Sequence, residues 1–395
     1  MPNNASSGST YRPPDVLSAK VEPVMSGIQR FWLRVSDGLK MDQLWKQFQA
    51  DARASYRLYS ADVDLEEDAT APKWKHYLRL AGQFFWAVLE KLSPARRVLL
   101  LVALVFLLIP TQTSFESSTN TVLIKFDAHF WGAMLLLVVL VLEVSDRVVM
   151  KRDLQIAKEI QNWLLPTAPP SVPGLEIAFA TRPANTVAGD YYDVFPRVCG
   201  DPHPQTWLIA VADVAGKSIP AALLMATVQA SLKTLAPTPL SVSELVGKMN
   251  QYACTNSQDG RRFTTAFVAE YDPQARTLAY VNAGHNPPIV RRASGGMERL
   301  EVGGIPLGIL DAPGYSSATV TLQPGDWVVM FSDGVVEAEN ARSEEYGEDR
   351  LTYNIHMGAT QSPAMLLQRI MGDVDNFVGT APQHDDITCM LVKAV

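Results

Sequence analysis

The sequence of 395 residues has few cysteines and no excess of positive charge. Its three cysteines, Cys199, Cys254 and Cys389, are too few and too scattered for a disulfide scaffold or a four-thiolate zinc site. The net charge of −7 argues against a nucleic-acid partner, because sequence-independent nucleic-acid binders normally carry a basic face. With 47% hydrophobic and 19% charged residues, the chain has the composition of a folded protein rather than a disordered one.

Three common signatures of hydrolytic and phosphate-binding sites are also absent. Gly260 stands where a cysteine phosphatase would need an arginine after Cys254, and Arg261 comes one position too late. Lys217 lies in a Gly-Lys-Ser sequence that resembles the end of a P-loop, but Val211 occupies the position of the required earlier glycine. The zinc motif HExxH does not occur, and the six histidines are isolated. The chemistry of this chain therefore has to come from other residues.

Two apolar runs lie in the N-terminal half. Val98–Phe115 is eighteen residues long and Ala128–Leu142 is fifteen, each close to the lower limit of about 17 residues for a spanning helix. Basic residues flank the pair on both outer sides, which is the positive-inside pattern. We predict a two-span transmembrane hairpin over residues 96–145 in the cytoplasmic (inner) membrane, with both termini in the cytoplasm. The alternative is a hydrophobic helical hairpin packed on the soluble part of the protein.

The segments around these runs carry no catalytic motif. Residues 1–22 are polar and predict a disordered tail, and residues 23–95 predict an amphipathic helical region of unknown role. Residues 146–166 predict a linker helix that ends at Pro166. Heptad-like spacing favours pairing of this helix in a homodimer, and packing on the next domain is the alternative. The apolar positions with this spacing are Val149, Ile156, Ile160 and Trp163.

Residues 167–395 have the pattern of an α+β domain. Helices are predicted at Ala221–Leu235 and Ala364–Val378, and a hairpin at residues 272–277. Because the strands come in adjacent hairpins rather than alternating with helices, we predict antiparallel sheets flanked by helices. The predicted strands cover residues 207–212, 265–271, 278–281, 327–331 and 387–392.

Aspartates recur where these strands begin and end. Asp213 and Asp333 directly follow apolar strands, Asp190 lies in a glycine-containing loop, and Asp385 and Asp386 precede the last strand. A lone aspartate at a strand end is usually a turn cap, but four such clusters in one domain point to convergence at one sheet edge. Converging carboxylates repel each other unless a cation lies among them, and Mg²⁺ or Mn²⁺ prefers oxygen ligands. The pattern predicts a two-metal site that activates a water for attack on phosphorus.

Seven short stretches follow one another in order over about 240 residues. Together they resemble the bacterial PPM/PP2C-type serine/threonine phosphatases of the SpoIIE/RsbU class. One motif alone is weak, and seven in order are specific. The stretches are Gln155–Gln161 with Leu164-Leu165-Pro166, Pro183–Asp193, Asp213–Met225, Asn282–Pro287, Gly304–Gly308, Phe331–Glu337 and His384–Thr388.

The resemblance implies an α/β (α+β) fold, a four-layer α-β-β-α sandwich with two Mn²⁺ or Mg²⁺ ions between the sheets. It implies hydrolysis of phosphoserine or phosphothreonine on a regulatory protein, in this class often a STAS-type anti-sigma-factor antagonist. The catalytic residues that it implies are Asp190, Asp213, Asp333 and Asp385. The implied metal ligands are the same four aspartates, the backbone carbonyl of Val214, and Asp386.

Three positions depart from the family pattern. Ala188 and Ser218 stand where the family commonly has glycine, and Ala215 stands where it commonly has serine. A Cβ at position 188 disfavours a positive φ beside the predicted metal site. None of the three departures removes a carboxylate, so activity is expected.

Two other functions compete with the enzyme. A pseudophosphatase or membrane sensor would bind its phosphoprotein partner without turnover, but all four predicted catalytic aspartates are present. A metal-dependent nuclease would also use clustered aspartates, and the absence of a basic stripe argues against it.

Overall fold

The computed structural model describes residues 82, 85–86, 89–109, 113–114, 125–198, 206–256, 262–311 and 314–395. The chain divides into two units, residues 1–144 and residues 145–395. The tail predicted for residues 1–22 and nearly all of the helical region predicted for residues 23–95 lie outside the described residues.

Two helices account for most of the described part of the first unit. Helix α1 (Pro94–Leu108) begins at a proline, which is favoured in the first helical turn. A short antiparallel pair, β1 (Thr113–Ser114) and β2 (Lys125–Phe126), comes before helix α2 (Ala128–Leu164). Arg96 and Glu143 form an ion pair of 3.2 Å between the two helices.

The transmembrane hairpin predicted for residues 96–145 is not supported. Helix α1 has 15 residues, and at about 1.5 Å per residue it falls short of the roughly 30 Å hydrocarbon core of a bilayer. Among the residues that the structure describes, no helix combines the length and the apolar character that a membrane crossing requires.

The segment predicted as a separate linker helix belongs to α2. The helix has 37 residues, and neither glycine nor proline occurs between Gly132 and Pro166 to interrupt it. It ends just before Pro166, as predicted, because the proline ring disfavours helical backbone in the residue that precedes it.

The second unit contains two β-sheets. The first has the strand order β10-β7-β6-β5-β4, with β11 also paired to β7, and the second has the order β3-β13-β12-β8-β9. Among the strands that the structure describes in this unit, only the short β10–β7 pair is parallel. The first sheet comprises β4 (Tyr191–Arg197), β5 (Thr206–Val214), β6 (Thr264–Asp272), β7 (Thr277–Ala283), β10 (Gly303–Gly304) and β11 (Ala318–Thr321). The second comprises β3 (Leu175–Arg182), β8 (Ile289–Arg291), β9 (Met297–Arg299), β12 (Trp327–Phe331) and β13 (Ile387–Ala394).

Each of the five predicted strands is present, and the predicted hairpin joins β6 to β7. The helices of this unit are α3 (Ser218–Leu235), α4 (Val242–Thr255), α5 (Asp333–Val336), α6 (Glu348–Met357) and α7 (Pro363–Val378). The sequence analysis predicted α3 and α7 and missed α4 and α6. Helix α4 carries a recognisable signal, since Ser241 and Glu244 form a capping box.

Three apolar clusters define four layers. Side chains such as Ile209 and Met330 meet in the core between the two sheets. The other face of the first sheet packs on α3 and α4 through residues such as Met225, and the outer face of the second packs on α6 and α7 through residues such as Ile370. This arrangement is the predicted α-β-β-α sandwich.

Candidate active site

The predicted site residues lie where neighbouring strands begin and end. In the first sheet, Tyr191 pairs with Ala212 in antiparallel register, so Asp190 and Asp213 lie opposite each other at the same sheet edge. In the second sheet, Phe331 pairs with Cys389. The same antiparallel geometry places Asp333, at the start of α5, near the Asp385–Asp386 turn before β13. Each sheet therefore contributes one acidic pair.

The two acidic pairs interact electrostatically across the sheets. Burial, followed by the charges of Asp333 and Asp385, raises the pKa of Asp213 to about 7. Burial also raises the pKa of Asp190 well above its ordinary value, with an added contribution from the Asp213 charge. The pKa of Asp333 is raised by burial and then by the charge of Asp385. The fold thus concentrates negative charge that a cation would neutralise.

Asp386 is held differently from the other four carboxylates. Its Oδ1 accepts a hydrogen bond from the Ala184 N–H (2.7 Å), and its Oδ2 accepts one from the Gly189 N–H (2.6 Å). Both oxygens therefore hold the loop that leads to Asp190. Asp386 therefore lies beside the predicted ligands, and both of its carboxylate oxygens bind backbone N–H groups.

Glycines bring the backbone close at two points of the site. A Cβ on Gly189 would lie 3.2 Å from the carbonyl oxygen of Val214, so the missing side chain leaves that oxygen approachable. A Cβ on Gly334 would lie only 2.1 Å from the carbonyl oxygen of Asp386. The absence of this side chain therefore lets the start of α5 lie against the turn that carries Asp385.

The chemistry of this donor set fits a hard divalent ion. It consists of carboxylate and carbonyl oxygens, and Oδ2 of Asp190 is buried without a hydrogen-bond partner. Within the described part of the chain, no three acidic, histidine or cysteine side chains yet have the spacing to hold a metal ion. Raised pKa values and wider spacing can occur together. Carboxylates perturb each other's pKa over ~4–6 Å, whereas a ligand oxygen must lie about 2 Å from a metal ion.

A lysine that the sequence analysis did not assign to the site lies among these acids. Lys217 Nζ is 3.1 Å from Oδ2 of Asp385, and it donates a hydrogen bond of 2.5 Å to the carbonyl oxygen of His384. The sequence signal for this lysine was its position four residues after Asp213, within a Gly-Lys-Ser sequence that also resembles the end of a P-loop. Lys217, Glu337 and Asp385 line a cleft at this edge of the sandwich.

The departures from the family pattern have different consequences. Ser218 adopts a φ of 64°, the left-handed conformation that favours glycine. Ala188 does not adopt a positive φ, so the predicted strain at that position is absent. It is 2% exposed and is held by hydrogen bonds to Gln161.

Two further polar side chains from the motifs have structural partners. The carboxylate of Asp193 accepts a hydrogen bond from the Tyr191 hydroxyl (3.0 Å) and pairs with Lys233 (2.7 Å). His285 is buried, and Nδ1 of its ring lies 3.0 Å from Oγ1 of Thr265. Burial lowers the pKa of His285 to about 4, so the ring is neutral at physiological pH. These contacts give His285 a structural role.

Comparisons with known proteins point to one family. Residues 203–395, just under half of the chain, match the family model of stage II sporulation protein E. The phosphoserine phosphatase RsbU of Bacillus subtilis is 29% identical over 62% of this chain and 70% of its own length. Protein IcfG of Synechocystis is 26% identical over 63% of this chain, but the match covers only 42% of IcfG. The SiaA-PP2C domain of Pseudomonas aeruginosa superposes with a TM-score of 0.53 at 21% identity, over 63% of this chain and 98% of that domain.

The C-terminal domain is similar to the SpoIIE/RsbU-type PP2C phosphatase domains. The predicted enzyme class, protein serine/threonine phosphatase, is confirmed by the relatives named phosphoserine phosphatase, RsbU and RsbP of Bacillus subtilis. RsbP is 24% identical over 47% of this chain and 46% of its own length. The predicted PP2C-like α+β fold is confirmed by the superposition on the SiaA domain and by the two observed sheets.

Proposed function

We propose that this phosphatase is metal-dependent and that its ions are held by Asp190, Asp213, Asp333 and Asp385. The observation that carries the proposal is the convergence of the four carboxylates at one edge of the sandwich, where their charges and their burial raise the pKa values of Asp190, Asp213 and Asp333. Such an arrangement is costly without a cation. When bound, two Mn²⁺ or Mg²⁺ ions supply positive charge for a phosphoryl group and lower the pKa of a water.

The residues of the chain have distinct tasks in this proposal. Asp190, which is 1% exposed, supplies a buried oxygen without a hydrogen-bond partner. Asp213 and the Val214 carbonyl lie beside it at the end of β5, and Asp333 and Asp385 complete the set from the second sheet. Asp386 holds the Asp190 loop through two backbone N–H groups. Its role as a metal ligand stays a prediction.

Asparagine substitution of single ligands tests the metal centre. Asp213→Asn and Asp333→Asn in the full chain should each lose nearly all Mn²⁺-dependent hydrolysis of para-nitrophenyl phosphate. The substitutions remove the ligand charge at almost constant side-chain volume, so the fold should persist by circular dichroism. Asp349→Asn, at an exposed acid in the first turn of α6, is the matched control and should leave turnover unchanged.

The outcomes of this experiment separate the enzyme from its alternatives. More than about a tenth of the original rate in both ligand variants, a barrier change below ~1.4 kcal/mol, would contradict the ligand assignments. Binding of Mn²⁺ by the unchanged chain without any turnover would favour a pseudophosphatase that holds its phosphoprotein partner. Turnover that persists in a chelator would contradict metal dependence.

A phosphorylated regulatory protein is the substrate that we propose, specifically a phosphoserine or phosphothreonine on a STAS-type anti-sigma-factor antagonist. The match to RsbU, whose name is phosphoserine phosphatase, supports this substrate class. Hydrolysis of a phosphorylated STAS-domain protein by the full chain, followed by loss of the phosphoprotein band, would test it. An exclusive activity on a free phosphorylated amino acid would contradict it.

The location of the chain stays a prediction. The apolar runs at Val98–Phe115 and Ala128–Leu142 support an association with the cytoplasmic membrane, with the phosphatase domain on the cytoplasmic side. Fractionation of cells that express the full chain would test it. Recovery of the chain in the membrane fraction is the expected result, and recovery in the soluble fraction would contradict the prediction.

The linker segment of α2 is the dimer interface that we propose. Its heptad-like side chains do not pack on the phosphatase domain, since each of them is exposed: Val149, Ile156, Ile160 and Trp163. An apolar stripe of this spacing is the surface that a second copy of the same helix covers in a parallel coiled coil.

A further inference from the structure

Gln161, near the end of α2, forms a two-point contact with the loop that carries Asp190. Its side-chain Nε2 donates a hydrogen bond of 2.7 Å to the carbonyl oxygen of Ala188. Its Oε1 accepts one of 2.9 Å from the N–H of the same residue. The amide thus pairs with both polar groups of a single residue, two positions before Asp190. We propose that Gln161 is a positioning residue that holds the Asp190 loop ready for the metal ions.

The contact is buried on both sides. Gln161 is 6% exposed although it lies on a helix whose neighbouring side chains face solvent, and Ala188 is 2% exposed. Loss of the partner of a buried N–H or C=O is destabilising, because no water replaces the lost hydrogen bond. Residues 184–190 belong to neither a helix nor a strand, so no backbone ladder satisfies Ala188 in place of Gln161.

The loop is held from two directions. Asp386 accepts hydrogen bonds from the N–H groups of Ala184 and Gly189. Gln161 forms hydrogen bonds with the N–H and the C=O of Ala188, which lies between those two residues in the loop. Asp386 is fixed by the second sheet, whereas Gln161 comes from a helix outside both sheets. The position of Asp190 therefore depends on where the last turns of α2 lie against the domain.

This arrangement makes Gln161 act on Asp190 rather than on substrate. Both the nitrogen and the oxygen of its amide bond Ala188, and the side chain does not line the cleft beside Asp385. Residues that orient metal ligands in this indirect way commonly change metal affinity by about 10–100-fold when they are replaced. The inference rests on the proposed metal centre, and its expected consequence is on Mn²⁺ affinity.

Gln161→Met tests the inference in the full chain. Methionine has a similar length and no hydrogen-bonding amide, so both contacts to Ala188 are lost at nearly constant volume. We expect the dissociation constant for Mn²⁺, measured by titration calorimetry, to rise about tenfold. The Mn²⁺ concentration for half-maximal hydrolysis should rise in parallel, with kcat at saturating Mn²⁺ largely restored. Gln155→Met, at an exposed glutamine of the same helix, is the matched control and should change neither quantity.

A merely structural role predicts a different result. In that case Gln161→Met would lower the melting temperature of the metal-free chain and leave the Mn²⁺ dissociation constant unchanged, which would overturn the inference. If this variant does not fold, Gln161→Asn takes its place, because it keeps the amide and adds no charge, while its shorter side chain lengthens both contacts to Ala188. It should weaken Mn²⁺ binding by a smaller factor, and unchanged affinity in it would also overturn the inference. Failure of the unchanged chain to bind Mn²⁺ would instead refute the proposed metal centre.

Discussion

The acidic residues of the site are best understood as a balance between repulsion and burial. Asp190, Asp213 and Asp333 have raised pKa values because burial disfavours their charged forms and each feels another carboxylate. The fold keeps them together although their charges oppose it. At the residue scale, the cluster of buried carboxylates lowers the stability of the metal-free fold, and a bound cation would remove this destabilisation. Local destabilisation of this kind is a common feature of functional sites.

The pH dependence of stability should reveal this cost. Between about pH 4 and pH 7 the folded chain keeps the proton of Asp213, whose pKa is about 7, whereas the unfolded chain has already lost it. The folded state then binds more protons, so the free energy of unfolding falls as pH rises through this range. In a chelator, the melting temperature of the full chain should be lower at pH 8 than at pH 5.5.

Saturating Mn²⁺ should reduce or reverse this trend, because metal ions bind the deprotonated carboxylates. Asp213→Asn should flatten the trend in the chelator. A melting temperature that rises from pH 5.5 to pH 8 in the unchanged, metal-free chain would contradict the assignment of raised pKa values to this cluster.

Lys217 provides a second prediction at this scale. Its ammonium lies 3.1 Å from Asp385 and competes with any other cation for that carboxylate. Lys217→Met should therefore tighten Mn²⁺ binding by roughly two- to fivefold, a modest change because exposed ion pairs contribute at most about 1 kcal/mol. Lys248→Met, on α4, is a control remote from the four aspartates. Weaker Mn²⁺ binding in Lys217→Met would show that the lysine assists the site instead.

At the scale of elements, the site depends on how β5 leads into α3. The connection passes through Gly216 with a φ of 115° and Ser218 with a φ of 64°. Glycine adopts such angles without strain, whereas a residue with a Cβ loses roughly 1–2 kcal/mol there. The start of α3 therefore contains a strained residue close to Asp213.

Ser218→Gly should relieve this strain. We expect the free energy of unfolding in urea to rise by about 1 kcal/mol, with the denaturant slope unchanged. Ser218→Ala keeps the Cβ and should give no such gain. Equal stabilities of the glycine and alanine variants would contradict the assignment of strain to φ.

At the scale of the whole molecule, the exposed apolar stripe formed by the heptad-like residues of α2 is the surface through which we expect two chains to pair. Ile156 is 45% exposed and lies in the middle of the stripe. Ile156→Glu should abolish dimerisation, since a charge in a coiled-coil core is costly to bury. Light scattering coupled to size-exclusion chromatography should then give the mass of one chain.

Val148→Glu, at an exposed aliphatic residue beside the stripe, is the control and should leave the dimer intact. A monomeric unchanged chain would contradict the proposed dimer.

The sequence by itself determined much of the C-terminal domain. Alternating and continuous apolar runs located each of the five predicted strands, since burial against a sheet imposes a pattern on successive residues. Helices α4 and α6 were missed because a smaller share of their residues is apolar than in α3 and α7, although α4 carried a capping signal at Ser241. The aspartates were located because they lie next to the ends of apolar strands, which is a local signal.

Only the tertiary structure decided what each acidic and polar residue contacts. Asp385 and Asp386 are adjacent in sequence, yet one faces Lys217 and the cleft while the other holds two backbone N–H groups. Gln161 and Ala188 are 27 positions apart, and no local pattern relates them. Apolar periodicity reflects burial, which a sequence records position by position. The partner of a polar group depends on which distant segments the fold brings within about 3 Å, and the sequence does not record that separately.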